Sequence, residues 1–447
     1  MFISIVEGHY PRFRFAKIAQ FVVLLVLTFG LMACVYDPAF SRRLRYIPRR
    51  VETEVRRLRR HPNFVPTPVF ATGEPAREIA LPIKSELQPT ATPTLNIVPT
   101  ADIPVVIRAM HSTPTPTRQS TRALPTPTPT STPTPSPSPL PAATLLSGFT
   151  HAWQTWNNCG PATLAMNLSY LGHPEAQADI AAMLKPDQDD KNVSPGELVA
   201  YARFLGLEAI DRVGGDMELL KRLLSYGVPV IAEVWITPKP NDGMGHYRLL
   251  IGYDDSTAEL VTYDSLNGPN VRLPYDRFDA EWRVFNRAYI LVYKPNQGET
   301  VAAVLADALD DTAMYGVALA AAQTEAQANP DDAFAWFNMG SSLTALGHYD
   351  EAVVAYDRAR RLGLPWRMLW YQFGPFEAYF NVGRYDDVLT LAAANLRNAS
   401  NLEESHYWRG RTLQTLGHTE EARRAFERAL RFNPNYTAAR QALATFD

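Results

Sequence analysis

The pattern of apolar and polar residues divides the chain into four regions. One apolar run, 18–33, lies near the N-terminus. Residues 62–147 show no helix or strand periodicity and are rich in proline, threonine and serine. Because proline fixes φ and removes backbone donors, we predict a disordered linker there. Fully extended at about 3.1 Å per residue, such a linker would reach roughly 250 Å.

Residues 148–297 have the patterning of an α+β domain, with helices first and strands afterwards. Apolar residues at helical spacing predict helices over Ala162–Gly172, Ala176–Leu184, Pro195–Leu205 and Met217–Ser225. Ser194 is the expected N-cap of the third helix. Strand patterns separated by turn residues follow at Val230–Ile236, His246–Tyr253, Glu259–Tyr263 and Ala288–Tyr293.

Residues 298–447 have a helical pattern that repeats. Gly340 and Gly410 are two units of about 35 residues apart. Around these glycines the two units match at six further pairs of positions, the last pair one residue out of step. The pairs are Leu343/Leu413, Gly347/Gly417, Ala352/Ala422, Tyr356/Phe426, Ala359/Ala429 and Pro365/Pro434. The pattern resembles the tetratricopeptide repeat, an all-α solenoid. We expect three to four repeats: strong units at 331–364 and 401–434, a divergent one at about 366–399, a weaker one at about 299–330, and a capping helix near Tyr436–Thr445.

The N-terminus is typical of an export signal. Arg12, Arg14 and Lys17 precede the apolar run, which ends in Leu31-Met32-Ala33-Cys34. This ending resembles a bacterial lipoprotein box, with the lipid on Cys34, so 1–34 is either a cleaved signal or an uncleaved membrane anchor. The basic segment 35–61 carries nine arginines, which would favour the cytoplasmic side. The Thr/Pro linker is more typical of exported proteins, so we predict an extracytoplasmic position at the cell membrane.

Overall composition excludes several classes of protein. The formal net charge of −3 argues against a dedicated nucleic-acid binder. Two cysteines cannot form a disulfide framework. A zinc site is not expected either, because His151, His173 and His246 lack ligand spacing and one cysteine lies among them.

Cys159 is the candidate nucleophile. It stands where a helix is predicted to begin, between polar asparagines and Gly160-Pro161. The positive end of the helix dipole would lower the pKa of its thiol. The alternative is an inert buried cysteine.

A base, an orienting carboxylate and an oxyanion donor are also present. His246 begins one predicted strand and Asp264 follows the next. Because strands joined by a tight hairpin are neighbours, these two residues should share one edge of the sheet. Gln154 would donate its amide to an oxyanion together with the Cys159 N–H. The alternatives are an ordinary strand histidine, a turn carboxylate and an exposed glutamine.

These residues carry a resemblance to the C39-like branch of the papain-like cysteine peptidases. The motifs are Gln154-x4-Cys159-Gly160-Pro161-Ala162, Gly245-His246-Tyr247 with Gly252-Tyr253-Asp254, and Tyr263-Asp264-Ser265. The resemblance covers about 148–295 and implies a papain-like fold without a cofactor. It implies that Cys159 is the nucleophile, His246 the general acid/base, Asp264 the orienting residue and Gln154 the oxyanion donor.

The sequence departs from that family in two places. Ser265 follows the aspartate where proline is common, and no Gly-x4-Gly-Lys-Ser/Thr stretch of an ATP-driven transporter module occurs. The expected function is a membrane-tethered cysteine peptidase acting on a peptide or protein. The repeats would bind a protein partner in their concave face or serve as a spacer. An acyltransferase on the same triad and a non-catalytic surface scaffold are the alternatives.

Overall fold

The computed structural model describes residues 64–68, 139–238 and 242–446. The predicted signal or anchor, the basic segment and most of the predicted linker lie outside these residues. Within the described ranges, no helix combines the length and the apolar character that a membrane span requires.

One antiparallel sheet organises the first folded region. Its strands are β1 Ala143–Leu145, β2 Glu208–Arg212, β3 Val230–Ile236, β4 Met244–Asp254, β5 Glu259–Asp264, β6 Gly268–Pro274 and β7 Tyr289–Tyr293. Their order is β2-β7-β3-β4-β5-β6, and β1 pairs with the end of β4. β3 and β4 are therefore central, and both are buried along most of their length.

Helices cover both faces of this sheet. They are α1 Cys159–Tyr170, α2 Gln177–Leu184, α3 Pro195–Phe204, α4 Met217–Ser225 and α5 Tyr275–Trp282. One apolar core joins α1, α2 and α3 to one face of the sheet. Another joins α4 and α5 to the opposite face. Successive strand residues point to opposite faces, so Ile231 and Val230 belong to different cores.

The predicted α+β class is confirmed, but the predicted order of elements is wrong. β2 lies between α3 and α4, and the pattern missed β1, β2, β6 and α5. β2 and β6 are at the two edges of the sheet, where few of their residues are buried. An edge strand with polar residues on both sides gives little alternation to detect. Ser194 does cap α3, accepting a hydrogen bond from the Glu197 N–H.

The second folded region is a run of helices, as the repeat pattern predicts. They are α6 Gly298–Leu305, α7 Asp311–Ala328, α8 Ala333–Ala345, α9 Tyr349–Leu362, α10 Gly374–Asn381, α11 Tyr385–Asn398, α12 Glu403–Thr415, α13 Thr419–Phe432 and α14 Thr437–Leu443. α8/α9, α10/α11 and α12/α13 form the helix pairs. A Cβ on Gly340 would lie 2.7 Å from the Tyr356 ring, and one on Gly410 would lie 2.6 Å from the Phe426 ring. Glycine is therefore required where the paired helices cross.

The two folded regions share an apolar core and polar contacts. Trp235 and Phe285 belong to the same buried cluster as residues of the repeats. Asn286 Nδ2 donates to Ser342 Oγ over 3.0 Å, and Asn338 Nδ2 donates to the Arg283 carbonyl over 2.6 Å. Since Asn338 and Ser342 are on α8, the first helix of this repeat faces the α+β domain.

The predicted linker, 62–147, needs correction at both ends. β1 belongs to the sheet, and Tyr253 OH donates to the Pro141 carbonyl. At the other end, Phe64–Pro68 packs against the repeats at Gly363–Pro365. Apolar side chains and backbone bonds fix these short pieces, and a compositional signal cannot detect them. Residues 69–138 lie outside the described part of the chain.

Candidate active site

Cys159 is the first residue of α1, three residues earlier than the predicted helix start. Asn157, with φ of 49°, makes the sharp turn into the helix, and Asn158 is its N-cap. The thiol is partly exposed and forms no disulfide. Its backbone N–H is in the first turn, where helical N–H groups have no partner within the helix. This placement is the one expected for a nucleophile beside an oxyanion site.

His246 and Asp264 meet at one edge of the sheet, as the hairpin argument predicts. His246 Nε2 lies 2.9 Å from Asp264 Oδ1, and both side chains are buried. The imidazole also lies beside the Cys159 thiol, near enough for the two groups to shift each other's pKa. Because Nε2 faces Asp264, Nδ1 is the nitrogen left for the sulfur. Thiol, imidazole and carboxylate therefore form a connected line.

The electrostatics of this line favour a thiolate beside an imidazolium. Burial by itself would raise the pKa of Cys159, but the hydrogen bond and charge of His246 and the N–H groups of Tyr247 and Gly160 lower it overall. Burial would lower the pKa of His246, but the charge and hydrogen bond of Asp264 outweigh it and raise that pKa to about 9. Between these two pKa values the ion pair is the stable form.

Asp264 is held ionised by several donors. Arg248 Nε donates to Oδ2 over 3.0 Å, and the Leu266 N–H donates to Oδ1 over 2.8 Å. Asn267 donates through its main chain to Oδ1 and through its side chain to Oδ2. Burial opposes ionisation, but His246, Arg248 and Asn267 bring the pKa of Asp264 well below its usual range. The carboxylate is therefore fixed both in charge and in orientation.

Gln154 is anchored to the residue that follows Asp264. Its main-chain N–H donates to the Ser265 carbonyl over 2.9 Å. The Ser265 hydroxyl donates to Gln154 Oε1, also over 2.9 Å. With the amide oxygen held in this way, the amide nitrogen is directed away from Ser265. A proline at 265 could not donate this bond, so the departure from the common motif has a structural consequence.

The comparisons with known proteins concern the two folded regions separately. Residues 147–290 match the model of the Peptidase_C39 like family. The chain carries a C39-like peptidase domain. Models of the tetratricopeptide repeat match residues 335–361 and 403–436. No curated protein matches the chain.

Solved structures similar to parts of the chain fall into the same two groups. A C39-like peptidase from Bacillus anthracis is 21% identical, with 34% of this chain and 98% of that one covered and a TM-score of 0.29. A double-glycine-motif protease from an AMS/PCAT transporter, in complex with a leader peptide, is 20% identical over 34% and 98%, with a TM-score of 0.25. YrrB, a TPR protein with an unusual peptide-binding site, is 18% identical over 32% and 88%, with a TM-score of 0.18.

In the C39-like domain, two side chains fix the loop before Cys159. One is at the first residue of α2, Gln177, and the other is at its C-cap, Lys185. Lys185 is buried, and its ammonium donates to the carbonyls of Trp156 and Asn157. Gln177 accepts from the Thr155 N–H over 2.8 Å and from the Asn158 side chain over 2.9 Å. These residues hold the nucleophile turn but gave no sequence signal, because their neighbours in space lie some 20 to 30 positions away.

The repeats also reach the candidate active site of the C39-like domain. Arg367, in the 3₁₀ turn before α10, forms an ion pair with Asp242 and donates to the Gly243 carbonyl over 3.2 Å. Tyr371 lies flat against Gly245, where a Cβ would be 3.1 Å from its ring. His246 is the next residue. The repeat domain therefore buttresses the loop that leads into the candidate base.

Glu233 is a further buried acid on the Cys159 side of the sheet. It pairs in register with Tyr247, whose ring lies 3.4 Å from the Cβ position of Gly160. Burial and the charge of Cys159 raise the pKa of Glu233 to about 8. Among the described residues, its Oε2 has no hydrogen-bond partner. It lines a cavity of about 240 Å³ together with residues of the repeats, including Ser341 and Glu377. Since it falls in an apolar strand, its position alone did not suggest a role.

The other two histidines of the C39-like domain are His151 and His173, and their contacts differ from those of His246. His173 follows the end of α1, where its N–H donates to the Leu168 carbonyl. His151 Nε2 lies 3.0 Å from the Asp264 carbonyl, and its ring packs edge-on against Trp153 and Tyr263. His151 thus contacts the backbone of Asp264, which is a closer link to the candidate site than its position at the domain entry suggests.

Proposed function

We propose that this protein is a cysteine peptidase that hydrolyses an amide bond through a thioester intermediate. The supporting observation is the line of Cys159, His246 and Asp264, with its thiolate-stabilising electrostatics. The Cys159 thiolate attacks the amide carbonyl. His246 then protonates the leaving amine from Nδ1, and afterwards takes a proton from the water that hydrolyses the thioester.

Gln154 stabilises the oxyanion in this proposal. Its side-chain amide and the free N–H at the start of α1 are the two donors. Asp264 keeps the imidazole in one orientation and stabilises its charged form. The substrate is a peptide or protein, and the repeats recruit it or a second protein through surface that the C39-like domain leaves uncovered.

The N-terminal segment, 1–34, tethers the enzyme to the outer face of the cell membrane in this proposal. A lipid on Cys34 or an uncleaved apolar anchor would serve. The apolar run 18–33 and the ending Leu31-Met32-Ala33-Cys34 support this tether. Recovery of the full chain from cells without detergent would contradict it.

The catalytic proposal is tested with a peptide library read by mass spectrometry in ¹⁸O-labelled water. We expect the native chain to produce new C-termini carrying ¹⁸O, and Cys159→Ala to produce none. His246→Ala should lower kcat/KM by roughly 10³-fold or more. Identical products from native chain and Cys159→Ala would end the proposal.

The same experiment separates hydrolysis from acyl transfer. Glycinamide added as acceptor would appear at the new C-termini if the thioester is passed to an amine. A product population dominated by glycinamide at millimolar acceptor would reassign the enzyme as a transferase.

A further inference from the structure

A short extended segment of the chain is docked on the repeats, far in sequence from the helices that hold it. The Val65 N–H donates to the Leu364 carbonyl over 2.9 Å, and Phe64 forms an antiparallel bridge with Pro365. Val65 is 3% exposed and belongs to the apolar core of the repeats, and Pro68 is buried as well. Phe64 itself is largely exposed. The contact is therefore made by the backbone, by the buried side chains of Val65 and Pro68, and by the Phe64 ring, which lies against Gly363.

Arg360, near the end of α9, makes the polar half of this contact. Its Nε donates to the Pro66 carbonyl over 2.7 Å, and its Nη2 donates to the Thr67 carbonyl over 3.0 Å. The guanidinium thus spans two consecutive carbonyls. Only its fork geometry allows this, since a lysine ammonium has no such fixed pair of donors.

Groups of the repeats themselves hold Arg360 in place. Its Nη1 donates to Asp387 on α11 over 2.7 Å, and its guanidinium lies 5.0 Å from the centre of the Tyr379 ring. Arg384 also donates to Asp387. Arg360 is 2% exposed with the segment in place, and its other two nitrogens, Nε and Nη2, are directed at the docked segment. Asp387 and Tyr379, both in the repeats, thus orient the guanidinium towards the segment.

The chemistry of the site matches a proline-containing extended peptide. Pro66 and Pro68 have no N–H, so the segment leaves no donor unsatisfied at these positions. Proline also restricts the free peptide to extended conformations, which lowers the entropy lost on docking. A small β-branched side chain in front of the first proline fills the apolar pocket.

We propose that the end of α9 is a recognition site for an extended Val-Pro-Thr-Pro segment, occupied within the same chain by Phe64–Pro68. The segment fastens the chain to the repeats at the point where the proline-rich linker begins. Residues 69–138 then connect two fixed points on one folded unit, Pro68 and the start of β1. The length of that linker does not add to the distance between the N-terminus and the peptidase.

The test uses the full chain in a Cys159→Ala background, so that no peptide can be cleaved. Val65→Asp should release the internal segment and empty the site. A fluorescein-labelled peptide of residues 63–70 should then bind this variant, measured by anisotropy, at least tenfold more tightly than it binds the chain with Val65 intact. Adding Arg360→Lys, which keeps the charge beside Asp387 but loses the fork, should weaken binding at least tenfold.

The matched control is Arg358→Ala, because Arg358 lies on the same helix but contacts Pro330 and Asp331. Binding by this control should be unchanged, and the thermal midpoint of each variant checks that it is folded. Equal binding of the peptide to the intact and Val65→Asp chains would overturn the proposal. So would unchanged binding after Arg360→Lys is added in a protein that remains folded. A concentration-dependent dimer that Val65→Asp dissociates would overturn the assignment to the same chain.

Discussion

At the residue scale, the pKa values of Cys159 and His246 reflect a balance between burial and the charged groups beside them, Asp264 acting on His246 and His246 on Cys159. Burial alone would push the thiol towards its neutral form. The imidazolium, kept charged by Asp264, reverses that effect. Neither residue can therefore be understood as a single titrating group, and the two protons belong to the pair.

This coupling predicts the pH dependence of thiol reactivity. The rate of alkylation by iodoacetate should rise as pH passes the lowered pKa of Cys159. It should fall above about pH 9, where His246 loses its proton and no longer attracts the anionic reagent. Neutral iodoacetamide should not show the fall. Both rates are measured by mass spectrometry of the intact chain over time.

His246→Gln is the control for that profile. Without the imidazolium, burial is the largest remaining influence and raises the pKa of Cys159, so alkylation at neutral pH should be slow. If this variant reproduces the native profile with both reagents, no ion pair is formed.

At the element scale, the short β5–β6 turn positions residues from two parts of the candidate site. Asp264 ends β5, and Ser265 anchors Gln154 through a main-chain and a side-chain hydrogen bond. The two halves of the site, one near α1 and one on the sheet, are joined there. The geometry of one tight turn thus couples the candidate oxyanion donor, Gln154, to the candidate orienting carboxylate, Asp264.

The turn predicts a positioning role for Ser265. Ser265→Ala should lower kcat by about fivefold to tenfold, the value of one lost hydrogen bond. Gln154→Ala should cost roughly 10²-fold. If Ser265 acts only through Gln154, the double variant should be no slower than Gln154→Ala. Rates are measured on a peptide substrate from the library.

Ser256→Ala is the matched control, because that hydroxyl donates to Asp254 in the β4–β5 turn. It should leave kcat unchanged. Additive effects of Gln154→Ala and Ser265→Ala would show that Ser265 acts independently.

At the scale of the whole molecule, the repeats and the C39-like domain form one packed unit. The divergent middle repeat has a first helix, α10, of only eight residues. The residues before it form the 3₁₀ turn whose Arg367 lies over Trp366 and Trp370 and reaches Asp242. The departure from the repeat pattern at this unit therefore has a structural reason, since its residues pack against the loop that precedes His246.

This contact predicts that a variant in the repeats changes the chemistry of Cys159. Arg367→Ala should loosen the 242–245 loop and slow alkylation of Cys159 at neutral pH by about threefold to tenfold. Asp242→Asn, which removes the other partner of the same ion pair, should also slow alkylation of Cys159. A double-mutant cycle between them should give a coupling of about 1 kcal/mol or more in the alkylation barrier.

Arg358→Ala again serves as the control within the repeats and should leave the alkylation rate unchanged. If Arg367→Ala lowers the thermal midpoint but leaves the alkylation rate and its pH profile intact, the contact is structural only.

The sequence by itself determined the local features of this protein. Periodicity located α4 and β3 to the residue, because amphipathic and fully buried runs bounded by turns are local signals. The Gly340 and Gly410 spacing identified the repeats, because close helix crossings leave no space for a side chain. The hairpin between β4 and β5 brought His246 and Asp264 together, because antiparallel neighbours share their ends.

Only the tertiary structure decided which distant residues support the candidate site and hold the docked segment. Lys185, Arg367 and Arg360 are polar residues with no distinguishing pattern in the chain, and the departure at Ser265 did not by itself indicate its contact with Gln154. Their roles depend on contacts with residues between 28 and 294 positions away. Such contacts follow from how whole helices and strands pack together. The free energy that stabilises this packing is distributed over all the apolar cores, so no single residue pattern indicates it. For the same reason, composition predicted one long linker where the fold fixes its two ends.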